Sequence, residues 1–168
     1  MMGDEKSVDD LIATLKSGDI HLRRQVSKDL VVVGSPAIEP LLKAMKDGDN
    51  DLRWYAARVL AQIGEPAIEP LIHAVKEWDD ADFRRYVAAA LGAMGNTALP
   101  SLIELVCDED KDLRGAAMMA LCSIGKPAVE PLRTMMNEGD ARTQLCAALV
   151  LCKIGEPAEG VFDELMEK

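Results

Sequence analysis

The sequence predicts an all-α, right-handed solenoid, a superhelix of about five helix pairs closed by a C-terminal capping helix. Three observations carry this expectation. The stretch Gly34-Ser35-Pro36-Ala37-Ile38-Glu39-Pro40 returns around Gly64, Gly95, Gly125 and Gly155, with spacings of 30, 31, 30 and 30 residues, and a fixed period of this size marks a repeat array. A second motif, Asp19-Ile20-His21-Leu22-Arg23, recurs at Asp49–Arg53, Asp80–Arg84 and Asp110–Arg114, with Asp140-Ala141-Arg142-Thr143-Gln144 as a degenerate fifth copy. Between the motifs, apolar residues return at helical spacing. The apolar share is 49%, yet only six residues are aromatic, which suits close-packed helices built from Ala, Leu, Ile and Val.

The elements follow in order. Residues 1–6 read as a disordered tail. Ser7 caps a first helix to about Lys16, and Asp10 completes an acidic variant of the capping box. Its apolar stripe is Val8, Leu11, Ile12 and Leu15. In each Asp-x-x-ϕ-Arg motif, with ϕ apolar, the first Asp is the N-cap of a second, longer helix. A following acid suits the first turn, and the Arg is placed to return to the cap carboxylate. Each second helix ends at a glycine in the left-handed C′ conformation, and the Pro two residues on opens the next unit. A further proline at 40, 70, 100 and 131 predicts a kink or a late start in each first helix. The third repeat carries one extra residue at Trp78-Asp79. The single domain 7–168 divides into repeats at about 7–34, 35–64, 65–95, 96–125 and 126–155. A half-repeat, 156–168, forms the cap.

Composition narrows the function. The net charge of −10 (19 basic, 29 acidic) divides as −5 in each half of the chain, which argues against general nucleic-acid or anionic-membrane binding. The acidic start is no signal peptide, and no apolar run reaches the ~18 residues of a membrane span. A cytoplasmic location is therefore expected. Four cysteines lie at 107, 122, 146 and 152 with no Cys-x-x-Cys pair. Cys122 and Cys152 share a repeat position with Ala61 and Gly92, and they read as small apolar residues at a tight helix contact.

The unit G-x-P-A-ϕ-x-P-L-ϕ-x-A-ϕ-x-x-x-D-x-x-ϕ-R-x-x-A-A-x-x-L-x-x-ϕ-G, which residues 64–95 match almost throughout, resembles the short HEAT-like repeat. This is the type named after phycobilin lyase subunits and found in stand-alone archaeal and bacterial proteins. The resemblance covers about residues 7–167. It implies a solenoid whose second helices line the concave side, where partners bind. It also implies an alternative, a phycobilin-lyase-like or other enzyme-associated subunit. Deoxyhypusine hydroxylase resembles such an array too, but it holds a di-iron centre with His-Glu dipeptides. Here His21 precedes Leu22 and His73 precedes Ala74. No metal, cofactor or catalytic set is expected, and the chain reads as non-enzymatic.

The second helices also divide by face. Counting from Leu22, Leu52, Phe83, Leu113 and Thr143, positions +4, +8 and +11 are apolar in every copy and form the core arc. Positions +2, +3, +6 and +10 fall on another arc. None of those twenty residues is acidic, five are basic and three are aromatic. The candidate partner-binding residues on this face are Arg24, Lys28, Trp54, Tyr55, Arg58, Arg85, Tyr86, Met119, Leu145 and Leu149. Trp, Tyr and Arg are the residues that most often anchor interfaces. The expected partner is a protein or peptide with acidic and apolar features. The C-terminal apolar end, Leu145 and Leu149, offers either burial under the terminal helix or a homodimer contact.

Overall fold

The computed structural model describes residues 7–155; the expected tail 1–6 and capping helix 156–168 lie outside the described residues. Among the described residues ten α-helices run in pairs: α1 (Val8–Ser17) and α2 (Ile20–Val33), α3 (Ile38–Asp47) and α4 (Asn50–Ile63), α5 (Ile68–Glu77) and α6 (Ala81–Ala93), α7 (Leu99–Leu105) and α8 (Lys111–Ile124), α9 (Val129–Glu138) and α10 (Ala141–Ile154). The second helices α2, α4, α6, α8 and α10 pack one on the next. The first helices α1, α3 and α5 do likewise behind them. The result is an all-α solenoid with a continuous apolar strip between two helical layers.

Local chemistry sets each boundary. Ser7 accepts from the Asp10 amide, and the Asp10 carboxylate returns to the Ser7 amide, closing the capping box. Asp49, Asp80 and Asp140 cap their helices by accepting from the amides of Leu52, Phe83 and Thr143 at 2.8, 2.9 and 2.9 Å. Such a cap contributes about 1 kcal/mol. The prolines produce a late start. Ser35–Ala37, Glu65–Ala67 and Lys126–Ala128 form short 3-10 turns, and the α-helices begin at Ile38, Ile68 and Val129. Pro40, Pro70 and Pro131 thereby fall in the first helical turn, where an amide has no intrahelical partner to lose.

The glycines between units are more restricted than a left-handed cap requires. Gly64 has φ 81° and ψ −136°, and Gly34 and Gly125 are similar. That conformation lies outside the left-handed helical well and is open to glycine alone. Gly155 (φ 92°, ψ 16°) is the left-handed cap expected from the sequence.

The extra residue of the third repeat forms a turned link, Trp78-Asp79-Asp80, between α5 and α6, in which the Asp80 amide donates back to the Trp78 carbonyl at 2.9 Å. Trp78 lays its ring edge-on to the fully buried Phe83 at 4.8 Å, with the Lys46 ammonium 5.1 Å above it. In the fourth repeat the first helix stops at Leu105, and Val106–Asp110 pass in turns before α8.

The core arc is apolar throughout, with Val26, Ala56, Val87, Ala117 and Ala147 at +4 and Leu30, Leu60, Leu91, Leu121 and Leu151 at +8 all buried. Gly92, at +9, is buried against α8. A Cβ there would lie 2.8 Å from the Ser123 Cβ and 3.2 Å from the Ala120 carbonyl oxygen. The first repeat departs from the pattern at its edge. Leu22 is 48% exposed where Leu52, Phe83 and Leu113 are buried. Asp29, in a slot that is apolar elsewhere, accepts from the Gln25 amide at 3.0 Å.

Three of the four motif arginines, Arg23, Arg53 and Arg84, pass over their own caps and tie repeats together. Arg53 donates to the carbonyls of Met45 and Lys46 at the end of α3, and to Asp80 of the next repeat at 2.7 Å. Arg23 reaches Lys16 and Asp51 in the same way, and Arg84 reaches Asp112 at 3.4 Å. A guanidinium with a planar fork serves both jobs at once: it closes helix-terminal carbonyls and pairs with a carboxylate.

Candidate functional site

Positions +2, +3, +6 and +10 of the second helices bring together an aromatic and basic cluster on α2, α4 and α6. Trp54 is 46% exposed. Its ring stands edge-on to Tyr55 at 4.8 Å and 88°, and the Arg58 guanidinium lies 4.6 Å over it. These three residues share one turn of α4, so helix periodicity alone makes them neighbours. Tyr55 leans toward α2, where the Arg23 guanidinium lies 5.6 Å over its ring.

Cavities on both sides connect the cluster to its neighbours. One of about 390 Å³ is lined by Arg24, Lys28, Tyr55, Arg58 and Gln62. A second, of about 640 Å³, lies by the start of the helices and is lined by Ile20, Arg23, Asp51, Trp54, Tyr55 and Tyr86. A third, of about 80 Å³, joins Trp54 and Arg58 to Tyr86 across a floor of alanines at 57, 61, 89, 90 and 93. Arg24, Lys28, Trp54, Tyr55, Arg58 and Tyr86 thus border one continuous surface. The small residues keep its floor low, and the aromatic pair forms a ridge between the larger cavities.

The remaining candidates sit apart. Arg85 turns to Asp82 of its own first turn at 2.8 Å, with both side chains largely exposed. Met119, Leu145 and Leu149 are exposed at 43%, 40% and 40% on α8 and α10. Position +3 is not uniformly on the open face. Ala116 is 4% exposed, and Tyr55, Tyr86 and Cys146 are half-buried, because this edge of the arc packs against the adjoining second helix. Sequence reasoning missed Arg23 and Asp51. The ion pair between them at 3.1 Å borders the cluster, and only the stacking of repeats brings the two residues together.

Electrostatics follow the caps. Asp80 is held below its ordinary value, first by the Phe83 amide and then by Arg53. Asp19 and Asp140 are lowered by the amides they cap. Burial pushes the Cys122 thiol up. Among the described residues the displaced carboxylates are therefore helix caps, outside the basic-aromatic surface.

Comparison with known proteins fits this architecture. The HEAT repeats family matches residues 38–113 and 99–167. The chain belongs to this family. No curated protein matches it. Among solved structures it is similar to the complex of CpcE and CpcF of phycocyanin lyase from Nostoc sp. PCC7120, at 24% identity over 85% of this chain and 96% of that one, with a TM-score of 0.44. An engineered protein is similar at 21% identity over 96% and 86% of the two chains, TM-score 0.38. A designed armadillo repeat protein in complex with the peptide (KR)4 is similar at 17% identity over 88% and 81%, TM-score 0.36. At these levels the likenesses concern helical repeat architecture and carry nothing about function. Among the described residues of this HEAT repeat chain, no helix is long and apolar enough to cross a membrane.

Proposed function

We propose that this HEAT repeat array is a non-enzymatic, cytoplasmic scaffold that binds an acidic peptide segment with an apolar anchor on its second-helix, concave face. The observation that carries the reading is the exposed Trp54, braced edge-on by Tyr55 and capped by Arg58. An indole held this way offers rigid contact area with little entropy left to lose. Arg24, Lys28 and Arg58 supply planar and point charges for carboxylates across the 390 Å³ cavity. The chain is acidic overall, so a basic face on it selects acidic ligands by contrast. Met119, Leu145 and Leu149 form a separate exposed apolar stretch on α8 and α10, a second contact for a longer partner.

The test is fluorescence anisotropy with labelled peptides that place Asp or Glu beside a single Leu or Phe. Arg58→Glu and Trp54→Ala should each weaken binding about tenfold, the loss of one hot-spot contact. Equal binding of a Lys-rich peptide, or no effect of either substitution, would overturn the reading. Concentration-dependent sedimentation that Leu145→Glu abolishes would instead assign the apolar end to a second copy of the chain.

A further inference from the structure

The junction of the fourth and fifth repeats is built differently from the others. In the slot of Arg23, Arg53 and Arg84 the fifth repeat has Gln144, and in the slot of Asp51, Asp82 and Asp112 it has Arg142. Arg23, Arg53 and Arg84 reach Asp51, Asp80 and Asp112 of the repeat that follows, whereas Arg114 turns to its own repeat. It donates to the carbonyls of Asp108 and Glu109 at 2.7 and 2.8 Å. Arg142 comes to the same Asp108 carbonyl at 3.2 Å. That bond pins the first turn of α10 against the irregular stretch after α7.

Two cysteines flank the bond. Cys107 is the residue before Asp108, and Cys146 lies one turn beyond Arg142 on the same side of α10. Cys146, Arg142 and Thr143, all in the first turns of α10, are the groups that act on the Cys107 thiol. Both cysteines are free and half-buried. Short first helix, irregular turn and Arg142 together bring two thiols face to face that lie 146 − 107 = 39 residues apart.

We propose that Cys107 and Cys146 form a thiol–disulfide exchange site, at which a small disulfide such as oxidised glutathione converts the pair into an intramolecular disulfide joining the fourth repeat to the fifth. Burial, and then the neighbouring Cys146, push the Cys107 thiol up to about 12; Cys146, at position +3 on the edge of the open face of α10, is the thiol a small disulfide meets first. Cys146 attacks as a thiolate. Its sulfur bonds to one sulfur of the oxidant, the oxidant's own S–S bond breaks, and one small thiolate leaves. The mixed disulfide is uncharged, which removes the share of the Cys107 shift that comes from an anionic Cys146. The Arg142 charge, which favours the Cys107 thiolate, remains. Cys107 then loses its proton and attacks the Cys146 sulfur, expelling the second small thiolate. Two cysteine thiols are oxidised by two electrons, one small disulfide is reduced to two thiols, and both protons end on those thiols. The cross-link falls at the junction where the Arg-to-Asp bridge of the earlier repeats gives way to the carbonyl contacts of Arg114 and Arg142.

The experiment incubates the full-length protein with excess oxidised glutathione, blocks remaining thiols at acid pH, and reads intact mass, linked peptides and melting midpoint. Wild type should lose two hydrogens, keep two of its four thiols and yield a Cys107–Cys146 peptide. Its midpoint should rise and return on reduction with dithiothreitol. Cys107→Ser should retain a glutathione adduct at Cys146 with no rise. The double variant Cys122→Ser/Cys152→Ser, which leaves the pair intact, should behave as wild type. A link between any other pair, stable glutathione adducts on wild type without a link, or an unchanged midpoint on oxidation would overturn the proposal.

Discussion

Arg53 places one nitrogen 2.7 Å from Asp80, the N-cap of the following repeat's second helix, while the same guanidinium closes two carbonyls at the end of α3. One side chain, 11% exposed, thus fastens three helices. Arg53→Ala should lower stability by about 2 kcal/mol, since charged hydrogen bonds of this kind are worth about 1.5–3 kcal/mol and the freed carbonyls are partly covered. Arg53→Lys should recover less than half, because a point charge does not span the fork. Denaturant melts would check both, and peptide affinity should stay unchanged.

Acid should expose the same link. The Asp80 carboxyl lies below its ordinary 3.8, chiefly through the Phe83 amide. A carboxyl depressed in the folded state contributes stability above its unfolded pKa and loses it as pH falls through the folded value. Asp80→Asn keeps a capping oxygen but removes the titration. Its melting midpoint should therefore fall less steeply than wild type below about pH 4, the ordinary carboxylate range. Parallel acid curves for the two proteins would show that the charge does not matter.

Gly92→Ala should cost about 1–3 kcal/mol, the usual penalty of overpacking, because its new Cβ meets Ser123 at 2.8 Å. Ser123→Gly should recover much of that loss. A double-mutant cycle reads the coupling directly.

Gly64→Ala isolates the backbone. Its Cβ would touch nothing within 4 Å, yet φ is 81°. The expected loss is about 1–3 kcal/mol from a backbone conformation that only glycine adopts freely. Thermal melts of the variant beside Gly115→Ala, where the space is also open and no positive φ occurs, provide the comparison.

Trp54→Ala should lose the ring contact with Tyr55 and the Arg58 guanidinium's contact over the indole, about 1–2 kcal/mol of stability, while peptide binding falls about tenfold. Hydrogen exchange should separate centre from edge in the same way. α4, α6 and α8, each flanked on both sides, should exchange last, and α2, where Leu22 is half-exposed, should exchange early.

Much of the architecture was legible because the repeat states it five times. Helix pairing, the Asp caps and the buried +4 and +8 residues follow from periodicity, which reports faces within one helix. What periodicity does not report is the stagger between helices. That stagger decides that Ala116 is buried while Met119 is exposed. It also sends Arg53 forward to Asp80 rather than back to Asp49. The six clustered site residues were legible as one helical arc, since +2, +3 and +6 of neighbouring copies stack in register. Arg85 shows where this fails: a local acid three residues away captures it. The Cys107–Cys146 approach was hidden because no repeat position is shared and the two residues meet only through the shortened α7.

The guanidinium ties have a direction. Those of Arg23, Arg53 and Arg84 each leave their own repeat and are received by the following one, so the second and third units offer a donor on one side and an acceptor on the other. A duplicated copy of residues 35–64, spliced in after Gly64, would receive Arg53 as Asp51 now receives Arg23 and would present its own Arg onward. The array is therefore lengthened in its interior by a unit already compatible with both neighbours. Extension past the fifth unit would begin from Gln144, which offers an uncharged amide to whatever stacks there. Growth by duplication is written into the first three units, and it stops at the fourth, where Arg114 turns to the carbonyls of its own repeat.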